Sequence, residues 1–157
     1  MKRRVKIFFF VLILLILGFF RETLFVSINS ALYDKFYSEN NHHIVWFLSF
    51  LNLFSYQAIY VAKWFITPLF VFLYWVIQKR FLFFLFNEKM ITRWLTILYL
   101  SLFLLAGVFF VGGWAFGKIN DGYTFSRLFM GLLQSPAPCM ILIPAMYLYK
   151  QTNINQS

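Results

Sequence analysis

The residues that could do chemistry are the few polar side chains that interrupt long apolar runs. They are Arg21, Glu22, Lys63, Arg127 and Gln134, and the predicted membrane spans place all five in the outer half of a membrane. Charges at such depth cost free energy unless they pair, so together they raise the hypothesis of a polar site. The simpler interpretation is that each long cation extends to the headgroup layer. If the residues do form a cluster, Glu22 is the carboxylate placed to neutralise Lys63 or Arg127.

The histidines and the cysteine offer little further chemistry. His42 and His43 are adjacent, so on a helix they point about 100° apart and cannot easily bind one metal ion, even with Glu39 nearby. Cys139 is the single cysteine, which excludes an intramolecular disulfide, and no histidine is expected at its depth to act as a base. We therefore predict packing for Cys139 and no catalytic residue, metal site or cofactor.

The composition is that of an integral membrane protein. Of 157 residues, 62% are hydrophobic and only 12% are charged, and a soluble fold could not bury so much apolar surface. The net charge of +9 does not indicate nucleic acid binding, because the basic residues lie between apolar segments and form no stripe interleaved with exposed aromatic residues. The lipid bilayer is the partner that the composition predicts, whereas the oligomeric state is left open.

The hydropathy pattern predicts an all-α, polytopic membrane helical bundle in which residues 1–157 form one membrane domain. About four transmembrane helices are expected, with one or two amphipathic helices at the interface. The predicted transmembrane segments are residues 5–22, 56–77, 94–114 and 127–149, and the predicted interfacial helices are residues 23–36 and 44–54.

The first apolar run supports two interpretations. The basic stretch MKRRVK, followed by uncharged residues 7–20, is typical both of a cleaved signal peptide and of a retained anchor. A retained anchor is favoured because no A-x-A-like pair of small residues follows. As a helix, residues 7–20 rise about 21 Å, less than the ~30 Å hydrocarbon core. We therefore expect the helix to extend past Arg21 and to form an elbow there with the first interfacial helix.

Prolines, glycines and amide residues predict where helices kink, where they are capped or bonded to one another, and where they approach closely. Pro136, Pro138 and Pro144 each lack an amide donor, so a kink is expected in the last segment. Asn29, Asn52 and Gln57 are expected to cap helices or bond across the bundle, and Gly107, Gly112 and Gly113 to allow close helix approach.

The charge distribution predicts the orientation. Most of the basic residues lie in the N-terminal stretch, in the middle loop and at the tail, whereas Glu22, Asp34, Glu39 and Asp121 fall on the other side of the predicted spans. Because short cytoplasmic loops are enriched in Lys and Arg, both termini are predicted to be cytoplasmic.

Two separated stretches resemble a known family. FFRETLF (residues 19–25) resembles the R/E-x-L-F pattern after the first span of the small exosortase F system-associated membrane proteins of Bacteroidetes. SRLFMGLLQSPAPCMILIPAMYLYKQ (residues 126–151) is similar to the final span of that family or of a related exosortase-associated group. The corresponding positions are Arg127, Gln134, Pro136, Pro144, Ala145, Tyr147 and Lys150.

The resemblance implies a non-enzymatic accessory protein in a bacterial inner membrane, beside a separate exosortase that sorts envelope proteins. Two alternatives stay open. One is a small oligomeric transporter or channel-like subunit, because short spans with a broken helix and Lys63 could line a path. The other is a structural membrane protein.

Overall fold

The computed structural model describes residues 3–37 and 46–154, and helices account for 93% of them. The all-α prediction is therefore confirmed. His42, His43 and Glu39 lie outside the described residues. In chain order the elements are α1 (Arg3–Tyr37), a 3₁₀ helix (Trp46–Leu53), α2 (Tyr56–Phe86), α3 (Lys89–Ala115), α4 (Ile119–Leu133) and α5 (Ala137–Ile154).

Helix α1 is continuous through Arg21 and Glu22, which differs from the predicted elbow. Its 35 residues rise about 52 Å, so a single helix replaces the expected span and separate interfacial helix of residues 23–36. The physical reason is local: residues 19–37 contain neither Gly nor Pro, and adjacent charges do not interrupt the backbone hydrogen bonds of a helix. The predicted interfacial helix of residues 44–54 corresponds, over its described part, to the 3₁₀ helix.

The predicted middle loop is also largely helical. Helix α2 continues to Phe86 and α3 begins at Lys89, so the connection shrinks to Asn87 and Glu88. Asn87 adopts a left-handed φ of 53°, which asparagine tolerates better than most residues, and its amide donates to the Phe83 carbonyl at 2.8 Å. The prediction that α2 ends near Ile77 and α3 begins near Trp94 is wrong because Lys, Arg and Glu are good helix formers and do not end a helix.

Helices α3 and α4 form a close hairpin around two glycines. A Cβ on Gly113 would lie 2.6 Å from the Gly122 Cα, and a Cβ on Gly122 would lie 2.6 Å from the Gly113 Cα. Only glycine allows this approach. The turn between the helices contains Gly117, whose φ of +69° is also suited to glycine. Around Gly107 and Gly112, by contrast, an added Cβ would meet no atom within 4 Å.

The chain divides into two compact units, each with its own apolar cluster. The first unit comprises residues 1–10 and 71–157, and its core contains Leu82, Ile91, Leu95 and Leu133, all fully buried. The second comprises residues 11–70. Its smaller core consists of Ile28, Ala31, Leu32 and Ile59, with Leu24, Leu51 and Ile66 packed around them.

The length and composition of the helices make the protein a multi-pass membrane protein. Helices α1, α2 and α3 are each long and apolar enough to cross a bilayer, and α4 with α5 adds a fourth crossing if this bent pair is one span. The two halves of the pair are bent by 60°.

Candidate functional site

The break between α4 and α5 is the most polar part of the first unit's core. It occupies residues 134–136, and it lies within the predicted fourth span. Pro136 has no amide hydrogen for the Leu132 carbonyl, which would be its partner in a regular helix. Ser135 replaces that donor: its amide lies 3.2 Å and its Oγ 2.8 Å from the Leu132 carbonyl oxygen. The same Oγ accepts a hydrogen bond from the Ala137 amide at 3.2 Å.

Side chains from two neighbouring helices satisfy the next carbonyls. The Tyr99 hydroxyl on α3 donates to the Leu133 carbonyl at 3.0 Å, and the Gln78 Nε2 on α2 donates to the Ser135 carbonyl at 2.6 Å. Carbonyls at a helix end have no partner within the helix, and in hydrocarbon each unpaired one costs several kcal/mol. Tyr99 and Gln78 therefore stabilise the break from outside the broken helix pair.

Gln78 is fully buried, with 0% of its surface exposed, and it is only partly satisfied. Its Oε1 has no hydrogen-bond partner among the residues that the structure describes. Gln134, the first residue of the break, and Cys139, in the first turn of α5, are each 2% exposed, and Cys139 belongs to the apolar core of the unit. Cys139 thus packs as the sequence suggested. The arrangement holds a bent backbone in place and leaves one buried amide oxygen as an acceptor.

Three members of the predicted polar cluster lie in the second unit, and they do not all meet. Lys63 Nζ donates to the Asn29 Oδ1 at 2.8 Å. Glu22 is exposed and makes no hydrogen bond or ion pair with the described residues, so it does not neutralise Lys63. The Arg21 guanidinium lies 5.5 Å from the centre of the Phe25 ring, one turn along α1. Asn29, expected to cap a helix or bond across the bundle, accepts this hydrogen bond from Lys63.

The other two members lie in the first unit, where they occupy different environments. Gln134 is buried at the break, whereas Arg127 is exposed on α4. Of the three prolines, Pro136 is the last residue of the break, and Pro138 follows in the first turn of α5, where a missing amide costs little. Pro144 lies inside α5.

Tyr99 and Gln78 are the site residues that sequence reasoning missed. Tyr99 looks like one more aromatic residue in an apolar run, and Gln78 falls where the second span was expected to end. The signal that could have indicated them is the pair Pro136 and Pro138, because two prolines at this spacing interrupt a helix, and buried carbonyls at an interruption need donors from elsewhere in the chain.

Comparison with known proteins identifies no relative. No family model, no curated protein and no solved structure matches this chain.

Proposed function

We propose that this multi-pass protein is a non-enzymatic accessory of an exosortase-type sorting system and binds another membrane protein through α4. The two stretches that resemble exosortase-associated proteins support this proposal. Each of these stretches contains an arginine at a position where the family pattern also has one, namely Arg21 and Arg127, and Arg127 lies on α4.

The observation that carries the proposal is a polar stripe on the outer face of α4. Asn120, Thr124 and Arg127 recur at spacings of four and three, so they share one side of the helix, and all three are exposed. The opposite side, at Gly122, packs closely against Gly113 of α3. Arg127 makes no hydrogen bond or ion pair with the residues that the structure describes. A guanidinium facing hydrocarbon is costly, and a partner helix that carries a carboxylate removes that cost.

Affinity purification from native membranes tests this function. We expect an exosortase-type protein to co-purify with the wild-type chain and to be depleted at least about tenfold with Arg127→Ala, because truncating one member of a buried charge pair leaves the other unpaired. Lys118→Ala, which removes an exposed cation from the α3–α4 turn, is the matched control and should retain the partner. Recovery of unrelated proteins only, or equal recovery with Arg127→Ala, would contradict the proposal.

A transporter subunit is the second candidate, because discontinuous helices form the substrate sites of many transporters. The break between α4 and α5 is such a feature. However, its carbonyls at Leu132, Leu133 and Ser135 already accept hydrogen bonds from protein donors. Ion flux into proteoliposomes that is lost with Lys63→Gln would favour this candidate over the accessory function.

A further inference from the structure

One side of the α2–α3 hairpin carries cations around a contact between tryptophan and threonine. The Trp75 Nε1 on α2 donates to the Thr96 Oγ1 on α3 at 3.3 Å. One turn further along α2, the Lys79 Nζ lies 4.7 Å from the centre of the Trp75 ring. The cation–π contact holds Lys79 over the ring, at a position fixed by a bond between the two helices.

Helical spacing brings two more cations to this side. Lys89 and Arg93 precede Thr96 by seven and three residues, so all three share one face of α3. Helix α2 ends at the turn of Asn87 and Glu88 and α3 begins there, so Lys79 and Arg93 each lie about one helical turn nearer to Asn87 and Glu88 than the contact between Trp75 and Thr96 does. Lys89 and Arg93 are exposed. We call Trp75, Lys79, Lys89 and Arg93 the basic face.

The basic face lacks matching carboxylates. Glu88 is the one acidic residue between residues 40 and 120 of the sequence, and it is half-buried and already engaged in an interaction. Lys89 and Arg93 make no ion pair with any residue in the described ranges. Like charges gathered on one face repel, so an anion from outside the chain stabilises the arrangement.

We propose that the basic face binds the phosphate of an anionic phospholipid headgroup. Arg93 directly precedes a run of 24 uncharged residues, 94–117, so it stands where an apolar span meets the headgroup layer. Trp75 belongs to the amphipathic residues that prefer this layer, and Lys79 extends along its ring. The planar guanidinium of Arg93 matches two phosphate oxygens, and the lysines add compact positive charges. This inference concerns a lipid and does not depend on the accessory function.

Native mass spectrometry of the detergent-solubilised protein tests the proposal. The probes are phosphatidylglycerol and phosphatidylcholine of equal chain length, which differ in headgroup charge. We expect preferential retention of phosphatidylglycerol by the wild-type chain and about a fivefold loss of that preference for Lys79→Gln or Arg93→Gln, since one cation near a lipid surface contributes on the order of a factor of five. Lys118→Gln is the control, because it removes the same charge from the turn at the other end of α3.

Two further arms separate the possible outcomes. Arg93→Lys keeps the charge, so it should retain most of the preference and exclude misfolding as the cause of a loss. Inorganic phosphate at millimolar concentration should not displace the lipid. Equal retention of both lipids, an equal loss with Lys118→Gln, or displacement by inorganic phosphate would each overturn the proposal, the last by indicating a soluble anion.

Discussion

At the scale of single residues, the polar groups inside the apolar helices bond to whichever polar group lies within reach, and this is not always a charge of opposite sign. Lys63 on α2 donates a hydrogen bond to the amide oxygen of Asn29 on α1, although α1 also carries the carboxylate of Glu22 two turns before Asn29. The reason is distance: seven residues of helix separate the two positions by about 10 Å. A neutral amide also loses less hydration free energy on burial than a carboxylate does. Glu22 is thus an exposed residue within a continuous helix, and Asn29 is the partner that fixes Lys63.

The bond from Tyr99 to the break gives a prediction at the same scale. Tyr99 is 6% exposed, so Tyr99→Phe leaves the Leu133 carbonyl without its side-chain donor in a place that water does not reach. We expect a loss of about 1–3 kcal/mol of unfolding free energy, which is the cost of leaving a buried acceptor unpaired, at roughly 2–4 °C in Tm per kcal/mol for a chain of this size. Heating with a thiol-reactive fluorescent dye measures it, because Cys139 is the single cysteine and is buried.

Tyr123→Phe is the matched control for that experiment. Tyr123 is exposed on α4, and its hydroxyl makes no hydrogen bond with the described residues. Its Tm should stay within about 1 °C of the wild type, as for most surface substitutions. Equal shifts for the two variants would show that the Tyr99 hydroxyl does not stabilise the break.

At the scale of elements, the glycines of α3 and α4 decide how closely the hairpin packs. Gly113→Ala and Gly122→Ala each place a Cβ 2.6 Å from a backbone atom of the opposite helix, so the helices must separate. We expect each variant to lose about 1–3 kcal/mol, which is the usual cost of overpacking. The same thiol-dye melting experiment measures the loss.

Gly107→Ala and Gly131→Ala provide the comparison within the same two helices. An added Cβ at either position meets no atom within 4 Å, and alanine favours the helix over glycine by roughly 0.5–1 kcal/mol. These variants should therefore be as stable as the wild type or slightly more so. If all four alanine variants had the same Tm, the contact between Gly113 and Gly122 would not determine how closely α3 and α4 pack.

Helix type was predictable from the sequence at this scale, whereas helix ends and partners were not. Apolar runs of this length have to satisfy their backbone hydrogen bonds internally, which determines the all-α class. Charged pairs such as Lys79 and Arg80 indicate which side chains prefer water, but they do not indicate where the backbone turns. Helix α2 accordingly continues six residues past Arg80. Gln78 and Tyr99 became site residues only through contacts between distant parts of the chain, which no local pattern records.

At the scale of the whole molecule, the number of crossings depends on the bent pair α4 and α5. A re-entrant segment must reverse its direction, whereas a 60° bend leaves the second half advancing by half its length along the axis of the first. With 15 residues in Ile119–Leu133 and 13 in Ala137–Tyr149, the pair advances about 32 Å along the α4 axis, enough to cross the ~30 Å hydrocarbon core. The geometry therefore favours one broken span and four crossings in total.

If the chain crosses the membrane four times, both termini lie on the same side, and reporter fusions test this directly. Because of the basic N-terminal stretch, we expect alkaline phosphatase to be active when fused after Lys118, beyond three crossings, and inactive when fused after Ser157. Green fluorescent protein should show the reverse pattern, since it fluoresces in the cytoplasm. Active phosphatase at both positions would mean that α4 and α5 form a re-entrant loop, which returns to the side of the membrane where it began. The hydrogen bonds from Tyr99 and Gln78 would then stabilise a re-entrant loop instead of a broken span.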